Sequence, residues 1–385
     1  MPPSAASIPT FRSGTPVLQN ASDAPATLVV TVAANSSTYA GTLQDGLGGG
    51  ALSLIKSGPG TLLLSGTDIY NGGTIVIGGT LQTTGTGTLG SGAGALTISA
   101  ANGVTSAVSL GNSQSVSGLS GTLGTAAVVT LSIGSGVTLT DNQSSGNTAF
   151  QGALISSGTF AKSGSSSLEI NSAPTLNANS VLQVNGGTLR FNFVTGTATI
   201  GSGVTATVAS GAALQLAGPI SALSSGSYRV SISNNSNSSG LLVSGTNQQV
   251  GNINGSGTTQ INAGSDLTAN HIIQSSLVIG GTAGSPGLVT IDASDASGNP
   301  LDQASGFALA NSLTPSGPFG EGGTSSASVS SVGKGVDVAA LPLGNSVAGD
   351  PSPVPEPSAL LLALLAILGA VSTRFARHRI QYQAV

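Results

Sequence analysis

Along most of the chain, apolar residues come in runs of four to six, often alternating with Thr or Ser. Examples are TLLLS (61–65), TIVIG (74–78), ALTIS (95–99), VVTLSI (128–133), VTLT (137–140) and VLQVN (181–185). ATVAS (206–210), YRVSIS (228–233), SLVIGG (276–281) and LVTID (288–292) continue the series. A period of two sends successive side chains to opposite faces of a strand, one inward and one outward. Gly-Gly, Asn-Gly and Ser-Gly dipeptides separate the runs, as turns require. Outside the C-terminal tail no stretch carries the 3.6-residue period of a helix. The pattern predicts an all-β body of many short strands.

The tail breaks the pattern. Four prolines (Pro351, Pro353, Pro355, Pro357) hold the approach extended. From Ser358 to Thr373 every residue is apolar or small, so a helix there has no polar face and needs a nonpolar environment on all sides. Its sixteen residues would span about 24 Å, somewhat short of a bilayer crossing. Snorkelling of Arg374 narrows the gap. Arg374, Arg377 and Arg379 follow at once and mark a cytoplasmic side. The expectation is a C-terminal transmembrane helix, with burial against the β body as the alternative.

Within the body a long repeat is visible. YAGTLQDGLGGGALSLIKSGPGTLLLSG begins at Tyr39 and FQGALISSGTFAKSGSSSLEIN at Phe150. Both open with aromatic-x-Gly, reach Lys-Ser-Gly (56–58 and 162–164) and run into a strand. GGTLQ from Gly78 and GGTLR from Gly186 keep nearly the same offset as the two Lys-Ser-Gly motifs. Strand units that recur in this way point to a solenoid, each coil covering the face of the next. A pair of antiparallel sandwiches is the alternative.

LSLIKSGPGTLLLSGTDIYNGGTIVIGGTLQ (52–82) resembles the autotransporter-associated β-strand repeat of bacterial surface proteins. Lys56, Gly58, Gly60, Thr61, Leu62, Ser65, Gly66, Tyr70, Gly72, Gly73, Thr74, Gly78, Gly79, Thr80 and Leu81 carry the match. The copy from Phe150 lacks the Ser-Gly…Tyr-x-Gly-Gly-Thr turn. The resemblance implies a right-handed parallel β-helix. At roughly 20 residues per coil, the body would form a rod on the order of 60 Å long. The tail resembles the PEP-CTERM sorting signal: Pro355, Glu356 and Pro357, an apolar helix, then an Arg-rich end. That resemblance implies recognition by an exosortase, a membrane protease that acts near the Pro-Glu-Pro. It also implies an N-terminal signal peptide. MPPSAASIPTFRSGTPVLQN shows no apolar core of that kind, which leaves two readings: a cytoplasmic protein, or a start lying further upstream.

Composition narrows the function classes. Charged residues are 6% and Gly numbers 58, where about 25% charged residues is usual. Before Val354 twelve acidic and six basic residues are scattered, with no basic stripe, which argues against nucleic-acid binding. Cysteine is absent, which excludes disulfides, thiolate zinc sites and Cys nucleophiles. His271 is the one histidine outside the tail, and no nucleophile elbow accompanies it, so a structural role is expected. Asp292, Asp295 and Asp302 form the densest acidic stretch. It lacks the spacing of a calcium loop, and Asp at bends explains it as well. Lys56 and Lys162, equivalent in the repeat, are expected on the coil surface, where lysine limits aggregation. No catalytic residue, metal site or cofactor is assigned.

The chain divides into an N-terminal segment (1–38), a solenoid (39–312, clearest at 39–82 and 150–192), a Gly/Ser/Pro linker (313–354) and a sorting tail (355–385). The expected function is that of a non-enzymatic scaffold or adhesin. It would be exported, anchored transiently in the membrane, and then displayed at the cell surface or in extracellular matrix. Its expected partners are an exosortase-type membrane protease, the membrane before processing, and a surface polysaccharide or matrix. The alternative is a polysaccharide lyase or hydrolase on a β-helix, although carboxylates are few and Trp is absent. A complete autotransporter would add a C-terminal barrel of alternating strands, and the tail reads differently.

Overall fold

The computed structural model describes residues 16–238, 240–282, 285–292, 308–316 and 328–332. It is all-β, a parallel solenoid of about 12 turns. Three faces wind in turn around one apolar core. The first face holds Val17–Gln19 and Thr42–Gln44, and further on Gln114–Val116, Thr138–Asp141, Thr159–Lys162, Val181–Val184, Thr205–Val208 and Ser231–Asn234. The second begins with Ala26–Thr31, Leu52–Ser57, Thr74–Val76, Leu96–Ile98 and Leu119–Ser120. A bridge from Gly121 to Phe150 carries it into Thr148–Phe150, Ser167–Ile170, Thr188–Phe191 and Ala213–Leu216. The third holds Ser36–Tyr39, Thr61–Leu64, Gly79–Thr83, Thr105–Leu110, Val128–Ile133 and Ala153–Ser156.

Successive coils pair in parallel. Leu54 sits on Leu28, Leu81 on Leu62, and Leu182 on Phe160. Two short antiparallel contacts, 224–225 with 228–229 and 281–282 with 285–286, are local hairpins between coils. The coil length varies. Leu214 pairs with Leu241 and Leu241 with Thr259, a long coil followed directly by a short one. The ladder extends to Ala308–Ser316 and Ser328–Val332, reaching into the segment that the sequence reads as linker.

The alternation decides what goes inside. In Leu52–Ser57 and in Ser167–Ile170 buried and half-exposed residues strictly alternate. Identical positions on successive coils then stack. Leu168, Leu189, Leu214 and Leu241 form one such column on the second face. Phe150, Ile170, Phe191, Leu216 and Val243 form another. All are at most 1% exposed. Each side chain buried this way contributes about 1.5–3 kcal/mol. Outward positions carry Thr, Ser and Gln, as in Thr138, Thr140 and Gln183. The strands foreseen from sequence appear, except that YRVSIS is split into Tyr228–Arg229, in a local hairpin, and Ser231–Asn234, in the parallel ladder. VVTLSI and LVTID keep their bounds, while most of the others shift by a residue or two or lose an end.

Several strands escape a pattern search. Ser36–Tyr39 and Gln114–Val116 offer too few apolar residues to establish a period. Between Thr42–Gln44 and Gln114–Val116 the first face has no named strand for two coils. Side chains bridge the rungs there. Asp68 Oδ1 accepts from Leu43 N at 2.7 Å, Thr88 Oγ1 from Asp68 N at 2.7 Å, and Gln114 Oε1 from Leu89 N at 2.8 Å.

Candidate functional site

The repeat's opening motif is a packing device. An ideal Cβ on Gly41 would lie 2.6 Å from the ring of Tyr39, and one on Gly152 would lie 2.6 Å from the ring of Phe150. Both aromatic residues are buried, and the ring folds over the residue two places on, where only glycine fits.

The Lys-Ser-Gly corner corrects the sequence expectation. Lys56 and Lys162 are both 0% exposed, not surface residues. Their positions follow from the alternation: Leu52, Leu54 and Lys56 share the inward side, as do Phe160 and Lys162. Each lysine ends its strand at a corner and bends its amine back onto the turn. Lys56 Nζ donates to Ser57 O and Gly58 O at 2.9 Å and to Gly78 O at 2.8 Å. Three carbonyl oxygens thus consume the three protons of an ammonium. Burial pulls the pKa of Lys56 down to about 8. Gly58 turns the corner with φ of +74°, and Gly164 does so with +72°.

Lys162 is surrounded differently. Its Nζ donates to Ser163 O, and to Gly164 O at 3.3 Å. On its remaining side lies Asp141, its register partner on the preceding coil, with Oδ2 4.0 Å away. Both side chains are 0% exposed. Neither Asp141 oxygen has a hydrogen bond of normal geometry. Burial raises the Asp141 pKa to about 6, against the opposing pull of Lys162 and of the Gln143 and Leu119 backbone N–H groups. Burial lowers the Lys162 pKa, and Asp141 opposes it.

The two corners do not lie on one edge of the solenoid. Lys56 closes a second-face strand and Lys162 a first-face strand. The repeat therefore recurs after a non-integral number of coils, one face short of a whole turn. The turn missing from the second copy bears on the same point. In the first copy Tyr70 is buried and its hydroxyl meets Thr74 Oγ1 at 2.5 Å, beside the stretch of first face that lacks strands. The second copy runs through regular strands and needs no such plug.

The other candidates are scattered. His271 Nε2 pairs with Asn254 Oδ1 at 2.8 Å, and burial lowers its pKa. Asp292 Oδ2 accepts from Arg229 at 2.8 Å, and the same guanidinium reaches Asn270 at 3.0 Å. Asp292 is thus tied to a residue several coils earlier, across the coils between them. Asp295 and Asp302 lie outside the described residues. No group of three or more His, Cys, Asp or Glu among the described residues is arranged to hold a metal ion. Sequence reasoning missed two buried acids, Asp68 and Asp141. Asp141 was accessible to the parity of VTLTD, which turns Leu139 and Asp141 inward together. Asp68 lies in an irregular segment with no parity to read. Burial raises its pKa to about 7.

Pro355, Glu356, Pro357, Ser358, Thr373, Arg374, Arg377 and Arg379 all lie outside the described residues. Among the described residues no helix is long and apolar enough to cross a membrane. No curated protein and no solved structure matches the chain. Residues 54–83, from the inward Leu54 through the Lys56 corner to Thr83, match the passenger-associated-transport-repeat family.

Proposed function

We propose that the chain is an exported structural scaffold, displayed at the cell surface or in extracellular matrix, that serves as an adhesin and is processed at its C-terminal tail by an exosortase-type membrane protease. A transport-associated repeat on a parallel solenoid fits a secreted, passenger-like, surface-exposed scaffold. The observation that carries the reading is the continuous stacking of one apolar core behind Thr, Ser and Gln faces. Such a rod presents a long, sparsely charged, hydroxyl-rich surface, suited to contact with polysaccharide or matrix. The tail's Pro355-Glu356-Pro357, apolar helix and arginines support transient anchoring in the membrane and cleavage there. The chain acts without catalysis or cofactor.

The test is the mature C-terminus. The chain, with its native upstream region, is expressed in a host that has an exosortase, the culture is fractionated, and terminal peptides are mapped by mass spectrometry. A terminus at Pro355, Glu356 or Pro357 in the extracellular fraction is expected. An intact Val385 retained in membrane or cytoplasm would overturn the processing. Specific sugar release by the purified protein would overturn the non-enzymatic reading.

A further inference from the structure

We propose that Lys162 Nζ and Asp141 Cγ join in an intramolecular amide bond, a covalent cross-link between two successive coils. The geometry supplies what the reaction needs. The two residues are register partners on adjacent parallel strands, with the amine 4.0 Å from a carboxyl oxygen and both side chains sealed from solvent. Their column continues into Val116 on one side and Val184 on the other, so the pair is flanked by apolar residues. Phe160 and Leu139 bury the same stretch of wall.

The hydrogen bonds single out this lysine. A neutral amine has two protons and one lone pair. Lys162 has two carbonyl acceptors, Ser163 O and Gly164 O, and the carboxyl occupies the remaining side. Lys56, with three acceptors, is held as an ammonium and has no lone pair to offer. Asp141 is the complement: a buried carboxyl whose oxygens lack normal hydrogen bonds. Apolar surroundings favour the uncharged acid and amine over the ion pair. The directions of both pKa shifts agree with that.

The step balances without an oxidant or a co-reactant. Nζ attacks Cγ and a C–N bond forms. The Gln143 and Leu119 backbone N–H groups, nearest the carboxyl, are available to the developing oxyanion. A proton passes from Nζ to the hydroxyl oxygen, the C–O bond breaks, and one water leaves. The product turns two poorly satisfied polar groups into a single neutral amide. Two other described acids have cationic partners of their own: Glu169 pairs with Arg190 at 3.3 Å and Asp292 with Arg229.

Mass spectrometry tests this on the full-length chain, purified and denatured. The intact mass is expected to fall short of the sequence mass by one water. A proteolytic digest is expected to contain a branched peptide linking Asp141 to Lys162. Lys162→Arg and Asp141→Ala should each restore the full mass, and Lys56→Arg should leave the deficit in place. A full-mass wild-type chain, with Asp141 and Lys162 recovered only in separate linear peptides, overturns the proposal whether or not any variant folds.

Discussion

Two corners of this solenoid, at Lys56 and at Lys162, answer the same sequence motif with different chemistry. Both bury a lysine at the end of a strand and turn the chain with a left-handed glycine. At the first, three backbone oxygens satisfy the ammonium, and the corner is complete by itself. At the second, two oxygens remain, and a carboxyl from the neighbouring coil fills the gap. The difference teaches that a solenoid motif specifies its own turn but not its neighbour. What lies one coil earlier decides whether the lysine is a self-contained brace or half of a pair: Val30 precedes Lys56 in the ladder, and Asp141 precedes Lys162.

The comparison is broken most strongly at the pair. Lys162→Met or Asp141→Leu alone leaves one buried polar group without its partner, at a cost of about 3–5 kcal/mol. The double variant strands neither group and is expected to recover the part of the loss that comes from an unpaired buried group, while the contribution of the cross-link itself stays lost. Urea denaturation of the three variants checks it, and additive losses would count against the coupling.

Next in size is the pH dependence set by Asp68. Its folded pKa, about 7, lies above the ordinary carboxylate range. The folded state therefore binds the proton more tightly than the unfolded chain. This contribution is fully present below about pH 4 and is lost as pH rises through 7, an effect of the order of 4 kcal/mol at most. Asp68→Asn, which keeps an acceptor for Leu43 N, should flatten that part of the stability–pH curve. Melting temperatures between pH 4 and 8 would show it, and an unchanged curve would remove Asp68 as the cause.

Lys56→Met comes third. It strands Ser57 O, Gly58 O and Gly78 O, two of them with partial access to water. The expected cost is about 2–3 kcal/mol, read from the same urea titration. Because its partners are all backbone, no second substitution on the preceding coil should rescue it, in contrast to the Lys162 pair.

The smallest test concerns the turns. Gly58→Ala combines a left-handed φ with a Cβ that would lie 2.5 Å from Val32 O, while Gly136 has φ of +72° and open space around its Cβ. Gly136→Ala should cost only about 1–2 kcal/mol, the conformational term alone. Gly58→Ala should exceed it, since the coil below must also shift. Equal losses would show that the corner is looser than its contacts indicate.

Much of this architecture was legible in the chain. Alternation in VVTLSI and VLQVN marked strands and their inward sides, and the repeat marked stacked coils. The same parity also turns Lys56 and Lys162 inward, yet a general preference for lysine at surfaces argued the other way. Parity was the better guide, because a strand cannot rotate one residue outward without exposing Leu52 and Leu54. The position of the second corner on another edge was not legible. Coils here differ in length, as the unequal steps from Leu214 to Leu241 and from Leu241 to Thr259 show, so a sequence offset does not translate into a number of turns. Asp68 was hidden for a related reason: its segment is held by side-chain bridges, which have no period.

The variable coil length has a mechanical consequence. The backbone ladder joins each coil only to the coils beside it, so tension applied to the ends peels the ladder one coil at a time, except where Arg229–Asp292 and Asn234–Gln274 tie coils further apart. A released coil of about 23 residues lengthens the tether by roughly 75–80 Å. Force-extension traces should therefore show a staircase whose steps vary with coil length. The step is long where the coil from Leu214 to Leu241 comes free and short where that from Leu241 to Thr259 does. An amide between Asp141 and Lys162 would shorten one step by keeping the intervening residues out of the extension. A rod with these properties yields gradually under load and dissipates work at every coil, where a single cooperative domain would give way at once.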